Sequence, residues 1–350
     1  MLYTIPLMIL TIITLINYFD KNNYIFNYIP KQKHNLKVSV LIPAKNEINR
    51  IGQCLSSLQI QDYPNIEIIV LDDDSDDGTY DFVSENFNVN IIRGMERPQG
   101  WVGKNWACFQ LANQANGDII IFTDADNYFE RSAISKSVGY LIENNYDMMS
   151  VFPEIHNESI SERVFVPLVD NILTSFLPLS LVRKTSEVSL SAANGQWIII
   201  KKDVYFSIGG HEKVKNNYAE DISLAKLLKE NKFKISTLLG RDLIYTRMYT
   251  NFNEIYNGFS KNMYYMMGGN IFSNLIFILF LISIHFHIYN PELKIYFFAI
   301  YTLYITLQTG INGKFSFLTF FTFLPRYYFV IIMTFISFFK IKTNKVKWRT

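Results

Sequence analysis

The chain has only two cysteines, Cys54 and Cys108, with neither paired-ligand spacing nor the framework of a disulfide-stapled domain. They read as buried thiols. Its five histidines are scattered, and His285 and His287 close an apolar segment that offers no partner for a metal. A formal net charge of +2 over 350 residues provides no global attraction to nucleic acid or to an acidic partner. The glycine-rich dinucleotide fingerprint and the P-loop are both missing, which counts against a nicotinamide, flavin or P-loop enzyme. A nucleotidyltransferase would want a glycine-rich phosphate loop after the first strand, and Ala44-Lys45-Asn46-Glu47 does not supply one.

What is abundant is apolar and aromatic sequence, organised in short runs that end in acids. Ile119 to Thr123 leads into Asp124-Ala125-Asp126, and Ile66 to Leu71 leads into Asp72-Asp73-Asp74-Ser75-Asp76-Asp77-Gly78-Thr79. Val38 to Pro43 precedes Ala44-Lys45-Asn46-Glu47 in the same way. Continuous apolar runs of this length suit buried parallel strands, so all three deliver polar side chains to one sheet edge, where open α/β folds bind ligands. Paired acids at such an edge suit a divalent cation. In the Asp72 cluster, Asp72 comes directly off the strand and is placed to bind a nucleobase or ribose, while the later acids read as a solvated turn and helix start.

Between these runs, Ile51, Leu55 and Leu58 recur at helical spacing, and helices are expected near 79–87 and 105–115 with a strand near 89–92. The alternation predicts an α/β fold, a mixed and mostly parallel sheet with helices on both faces, over residues 36–249. Glu220-Asp221 precedes the helical pattern Ile222, Leu224, Ala225, Leu227, Leu228. A carboxylate at a helix start is fixed by backbone N–H groups and can serve as a base, or it is an ordinary acidic first turn.

Residues 1–19 carry no charge and are just long enough to cross a bilayer. No basic residue precedes the stretch and no small-residue cleavage pattern follows it, so an uncleaved anchor is expected rather than a signal peptide. Lys21, Lys31, Lys33 and Lys37 then place the next domain in the cytoplasm. Apolar segments return at 271–285, 295–307 and 315–339, a C-terminal transmembrane region over 271–339, and Lys340, Lys342, Lys345, Lys347 and Arg349 mark residues 340–350 as a basic cytoplasmic tail. Three simple crossings would leave that tail outside. One segment must therefore be re-entrant, interfacial or a short hairpin, and Pro325-Arg326 makes the last run the suspect. Residues 250–270, with Ile255, Phe259, Met263 and Met266 at helical spacing, read as an interfacial helix that suits an apolar acceptor. The expected location is the cell membrane, multi-pass, with the α/β domain facing the cytosol.

Taken in order, Val38 to Glu47, Asp72 to Ser75, Asp124-Ala125-Asp126 and Glu220-Asp221 resemble glycosyltransferase family 2, with its GT-A fold. Gly100 to Cys108 and Arg247-Met248-Tyr249 followed by Gly258 to Asn262 resemble membrane-bound members that act on polyisoprenoid-type lipids. The resemblance implies a nucleotide-diphosphate sugar donor, in the first instance a UDP-hexose, a lipid-like acceptor such as a carotenoid carboxylic acid, inversion at the sugar, and Mg²⁺ or Mn²⁺. It implies donor contacts from Pro43, Ala44, Glu47, Asp72, Lys104 and Asp124, metal ligation by Asp126 with Asp124, and Asp221 as the base. Arg247 either clamps the diphosphate or anchors an interfacial helix. The Gln-x-x-Arg-Trp motif of the processive synthases has no match, so a single transfer is expected.

Other acceptors fit the same resemblance: a hopanoid, a ceramide-like lipid, a polyprenyl phosphate or a surface glycan. A reading of another class keeps the fold as a non-catalytic nucleotide-sugar-binding membrane partner. Asn194-Gly195-Gln196-Trp197 and Gly209-Gly210-His211-Glu212 resemble the family's sugar and acceptor loops, with Trp197, Trp101 and Trp106 each either a sugar platform or buried packing.

Overall fold

The three acid-tipped runs become neighbouring strands. Val38–Ala44 (β1) pairs in parallel with Ile66–Asp72 (β2) on one side and with Ile119–Thr123 (β4) on the other. The computed structural model describes residues 5–289, 294–313 and 317–343. Residues 1–4, Phe315, Lys345, Lys347 and Arg349, on which part of the membrane reading rests, lie outside the described residues. The chain divides into two units, one formed by Lys21–His156 with Leu179–Arg247, the other by residues up to Asp20, Asn157–Pro178 and Met248 onward.

In the first unit, the remaining strands are Asn90–Arg93 (β3), Asn127–Phe129 (β5), Met148–Phe152 (β6), Glu154–Ile155 (β7), Trp197–Lys201 (β8), Ile235–Leu239 (β9) and Ile244–Thr246 (β10). A seven-stranded sheet runs in the order β3-β2-β1-β4-β8-β6-β9, and only β8 is antiparallel to its neighbours. This is the mixed, mostly parallel sheet expected from the sequence. Every residue of β4 is buried and β1 is buried along almost its whole length, as strands covered on both faces must be. The helices at Ile51–Gln59, Thr79–Asn86 and Gly103–Gln114 stand within two residues of their expected places. The chain leaves β1 for β2 on one side and later crosses to β4 on the other, so the carboxyl ends of β1 and β4 flank a topological switch point.

A second sheet, β5-β10-β7, has no counterpart in the apolar pattern. Its strands have two or three residues, too short for an alternation to show. Thr246 of β10 pairs with Asn127 of β5, so the antiparallel ladder brings the following Arg247 and the preceding Asp126 to one end of this sheet.

The second unit is helical and apolar. It contains Ile5–Phe19, Ile160–Phe165, Leu168–Phe176, Phe252–Met266, Ile271–Tyr289, Lys294–Asn312, Phe317–Phe321 and Phe323–Lys342. Residues 157–178 thus join this unit although they lie inside the stretch that the sequence assigns to the α/β domain. Leu324–Lys342 is long and apolar enough to cross a membrane, Ile5–Phe19 is apolar but shorter, and Phe252–Met266 meets Ile271–Ile282 at a bend of 108°. The Pro325-Arg326 pair does not split the last run. Pro325 occupies the first helical turn after Thr322, where its missing N–H costs nothing, and the break falls between Phe321 and Phe323.

Candidate active site

The Asp124-Ala125-Asp126 turn is held by hydrogen bonds on both sides. Thr123, the last residue of β4, donates its hydroxyl to the Gln196 carbonyl at 2.8 Å, and the Asn127 amide reaches both that carbonyl and the Thr123 hydroxyl. Gln196 in turn donates to the Thr246 hydroxyl at 2.9 Å, which ties the turn to β10. Ala125 is buried, and the flanking Asp124 and Asp126 are each half-buried.

Lys104, in the first turn of its helix, places Nζ 2.8 Å from Asp124 Oδ1 and 3.3 Å from Glu220 Oε1. Burial alone would depress its pKa, but Asp124 and Glu220 outweigh that and hold the ammonium charged well beyond the usual lysine range. Gly195 closes the other side. A Cβ there would lie 2.9 Å from Lys104 Nζ and 3.2 Å from Glu220 Oε1, so any side chain would push the ends of this ion pair aside. Asp221, in the first turn of helix Glu220–Glu230, accepts the Gly195 N–H at 2.9 Å and the Ile222 N–H at 2.7 Å.

Asp126, unlike Asp124, forms no ion pair among the described residues. Its Oδ1 is buried with no hydrogen-bond partner. Burial and then the neighbouring Asp124 push its carboxyl up to about 7, against the opposing pull of Arg50 and Lys104. Asp221 is likewise raised to about 7, by burial first and then by Glu220, although its two backbone N–H bonds favour the ionised form. Four acids around one lysine leave the pocket with surplus negative charge, which a divalent cation would relieve. Among the described residues no group of three or more His, Cys, Asp or Glu is arranged to hold a metal alone. The two aspartates nevertheless fit a Mg²⁺ or Mn²⁺ that completes its shell with water and phosphate oxygens, the usual habit of such ions.

Asp72 ends β2 opposite Ala44 of β1 and is 1% exposed. Its Oδ2 accepts the Ser75 N–H at 3.3 Å, while Oδ1 is buried without a partner. The later acids have local roles: Asp77 accepts the Thr79 N–H at 2.9 Å and the Ile48 N–H at 3.1 Å, and Asp74 and Asp76 face solvent. Glu47, in the loop after β1, donates its N–H to the Thr79 hydroxyl at 2.9 Å and lies 3.5 Å from Arg50. Pro43 is the register partner of Leu71, and the Ala44 carbonyl accepts the Asp73 N–H at 2.8 Å.

Residues 39–201 match the model of the family described as Glycosyl transferase family 2. This stretch is a glycosyltransferase family 2 domain. The 4,4'-diaponeurosporenoate glycosyltransferase of Staphylococcus haemolyticus (strain JCSC1435) is 28% identical over 238 residues, 65% of this chain and 60% of that protein. Its counterpart in Staphylococcus aureus (strain MRSA252) is 25% identical over 239 residues, 66% of this chain and 62% of that one. The chain therefore matches less than two thirds of the length of these relatives. A mannosyltransferase from Pyrobaculum calidifontis, solved in complex with GDP-Man and Mn²⁺, shares the fold, with a TM-score of 0.55 at 15% identity over 98% of this chain and 99% of that one.

The α/β unit brings Lys104, Asp124, Glu220 and Asp221 into one ion-pair and hydrogen-bond cluster around Gly195; Glu220 and Asp221 lie beyond the matched residues. Arg247 stays at the β10 end, half-buried. Trp197 is fully buried, donates to Ser137 Oγ at 3.2 Å and packs on Phe129, so it is core and offers no sugar platform. His211 is buried as well, bonded to the Tyr205 hydroxyl at 2.9 Å, and burial pushes its pKa down to about 3. Trp101 and Trp106 remain half-buried and cluster with Phe109. Asn105 escaped the sequence reading: its amide donates to the Val214 and Asn217 carbonyls at 2.8 and 2.9 Å, pinning the loop that leads to Asp221. A lone asparagine in a helical pattern carries no signal for such a clamp.

Proposed function

We propose that the chain is a membrane-bound inverting glycosyltransferase that moves a single hexose from a nucleotide-diphosphate sugar to a lipid-like acceptor. The observation that carries this reading is the cluster of Lys104, Asp124, Asp126, Glu220 and Asp221 at the switch point of a family 2 domain. In it, Asp72 and Glu47 hold the nucleoside, the β1 end at Pro43 and Ala44 forms the floor, and Lys104 and Arg247 face the diphosphate. One open oxygen on Asp72 matches the single N3–H of uracil better than the adjacent N1–H and amino group of guanine, because the second oxygen is already taken by Ser75. We therefore take the donor to be a UDP-hexose.

Asp126, with Asp124, would hold Mg²⁺ or Mn²⁺, which when bound would offset the charge that grows on the departing diphosphate. For Asp124 to serve a cation, Lys104 would have to loosen from it, which would free its ammonium for a phosphate oxygen. The acceptor oxygen attacks the anomeric carbon, the bond from that carbon to the diphosphate oxygen breaks, and its electron pair leaves with the nucleoside diphosphate. A hydroxyl acceptor gives its proton to Asp221. A carboxylic acid acceptor arrives ionised at neutral pH, and Asp221 then orients it. A carotenoid carboxylic acid is the acceptor we favour, supported by the names of the curated relatives and by the apolar helical unit of this chain.

Asp221→Asn separates the two acceptor classes. It should cut transfer to a hydroxyl acceptor by about 10²-fold or more and transfer to a carboxylate by far less. Equal losses on both, measured in isolated membranes, would contradict the base role.

A further inference from the structure

Arg326, conspicuous in the sequence inside an apolar run, is only 4% exposed in the apolar unit. Around it, three other helices contribute a connected set of neutral polar groups. Gln308 donates to Ser175 Oγ at 2.8 Å and to Thr14 Oγ1 at 3.2 Å, and accepts from the Thr174 hydroxyl at 3.0 Å. Tyr304 bonds Ser175 at 2.9 Å. Asn171, in the amide orientation that satisfies its neighbours, donates to Gln308 Oε1 at 3.1 Å and accepts from Arg326 Nη2 at 2.6 Å.

This network closes on itself except at one place. Arg326 Nε is buried without a hydrogen-bond partner, and among the described residues no carboxylate forms an ion pair with this guanidinium. A structural arginine in such surroundings is ordinarily matched by an acid, or extends its stem to bring the charge to water. Arg326 does neither. An uncompensated buried charge is costly, and the guanidinium edge is shaped to take two oxygens of a carboxylate or phosphate side by side.

We propose that Arg326, oriented by Asn171 and the Gln308 network, binds the anionic head of a lipid, a carboxylate or a phosphate. The inference rests on reading this unit as membrane-embedded. It concerns a site made wholly of that unit, apart from the sugar-donor residues.

The test uses the full chain, purified in a neutral detergent and titrated with a long-chain fatty acid, phosphatidylglycerol or phosphatidylcholine, with retained lipid counted by native mass spectrometry. The wild type should retain one anionic lipid in preference to phosphatidylcholine, and Arg326→Gln should weaken that retention by about 10-fold or more. Retention of the fatty acid alone identifies a carboxylate head, and retention of phosphatidylglycerol alone a phosphodiester. Arg326→Lys should keep part of the binding, and UDP binding should stay unchanged in both variants, which reports that the α/β domain is folded. Equal retention of neutral and anionic lipid by the wild type, a comparison that needs no variant, overturns the inference, as does unchanged retention in Arg326→Gln. Flotation with phosphatidylcholine vesicles separates the two failures. A chain that floats without anionic preference lacks only the site, whereas a chain that does not float refutes the membrane reading and the inference with it.

Discussion

Asp126 and Asp221 hold protons in the folded domain that an ordinary carboxylate would already have lost near neutrality. A carboxyl whose folded pKa is raised stabilises the fold most at low pH, and that contribution is lost as pH climbs from the usual carboxylate range toward about 7. Thermal unfolding without divalent ion should therefore show a falling melting temperature between about pH 5 and 7.5, and added Mn²⁺ should raise it most at the upper end, where Asp126 gives up its proton to bind. Asp126→Asn should flatten both trends and reduce sugar transfer by about 10²-fold or more, as expected when charge stabilisation of several kcal/mol is removed. A pH profile indifferent to Mn²⁺ would contradict the cation role. Gly195→Ala is a finer probe. Its methyl would displace Lys104 Nζ and the Glu220 carboxylate rather than backbone, so turnover should drop about 10-fold or more with little change in melting temperature.

At the scale of elements, the acid-tipped strands were legible because buried parallel strands read as unbroken apolar runs, and β1, β2 and β4 lie within a residue of their expected limits. The reversed direction of β8 was not legible, since Trp197 to Ile200 looks the same read either way along a sheet. Nor were β5, β7 and β10, which owe their existence to pairing rather than to a pattern of their own. The same limit applies to the site. Asp124, Asp126 and Asp221 stood out as acids at element ends, whereas Asn105 and Asn127, which hold the loops in place, carry no charge and follow no period. The difference between Trp197 as core and as platform has a direct consequence. Trp197→Ala should cost about 3–5 kcal/mol of stability, seen as a lower melting temperature, with a donor KM near that of the wild type. A raised donor KM in a fully stable protein would restore the platform reading.

For the whole molecule, the α/β unit and the apolar helical unit divide the labour that we propose, the first taking a soluble nucleotide sugar and the second meeting the lipid phase. A basic tail on the cytosolic side requires one apolar segment that does not cross simply, and the bend of 108° after Phe252–Met266 offers a break at a different place from Pro325-Arg326. Membrane attachment by such helices should withstand alkaline carbonate washing, and release by that wash would contradict it. The central claim is metal-assisted transfer of one sugar from a nucleotide donor to a lipid. It is tested most directly by incubating membranes that contain the chain with radiolabelled UDP-hexoses and GDP-mannose, with Mn²⁺ or with a chelator, and extracting the lipid. Label should appear in a single lipid product from a UDP-hexose and be lost with the chelator and in Asp126→Asn. Label that appears only in aqueous polymer, or that persists at full level in the chelator and in Asp126→Asn, would contradict it.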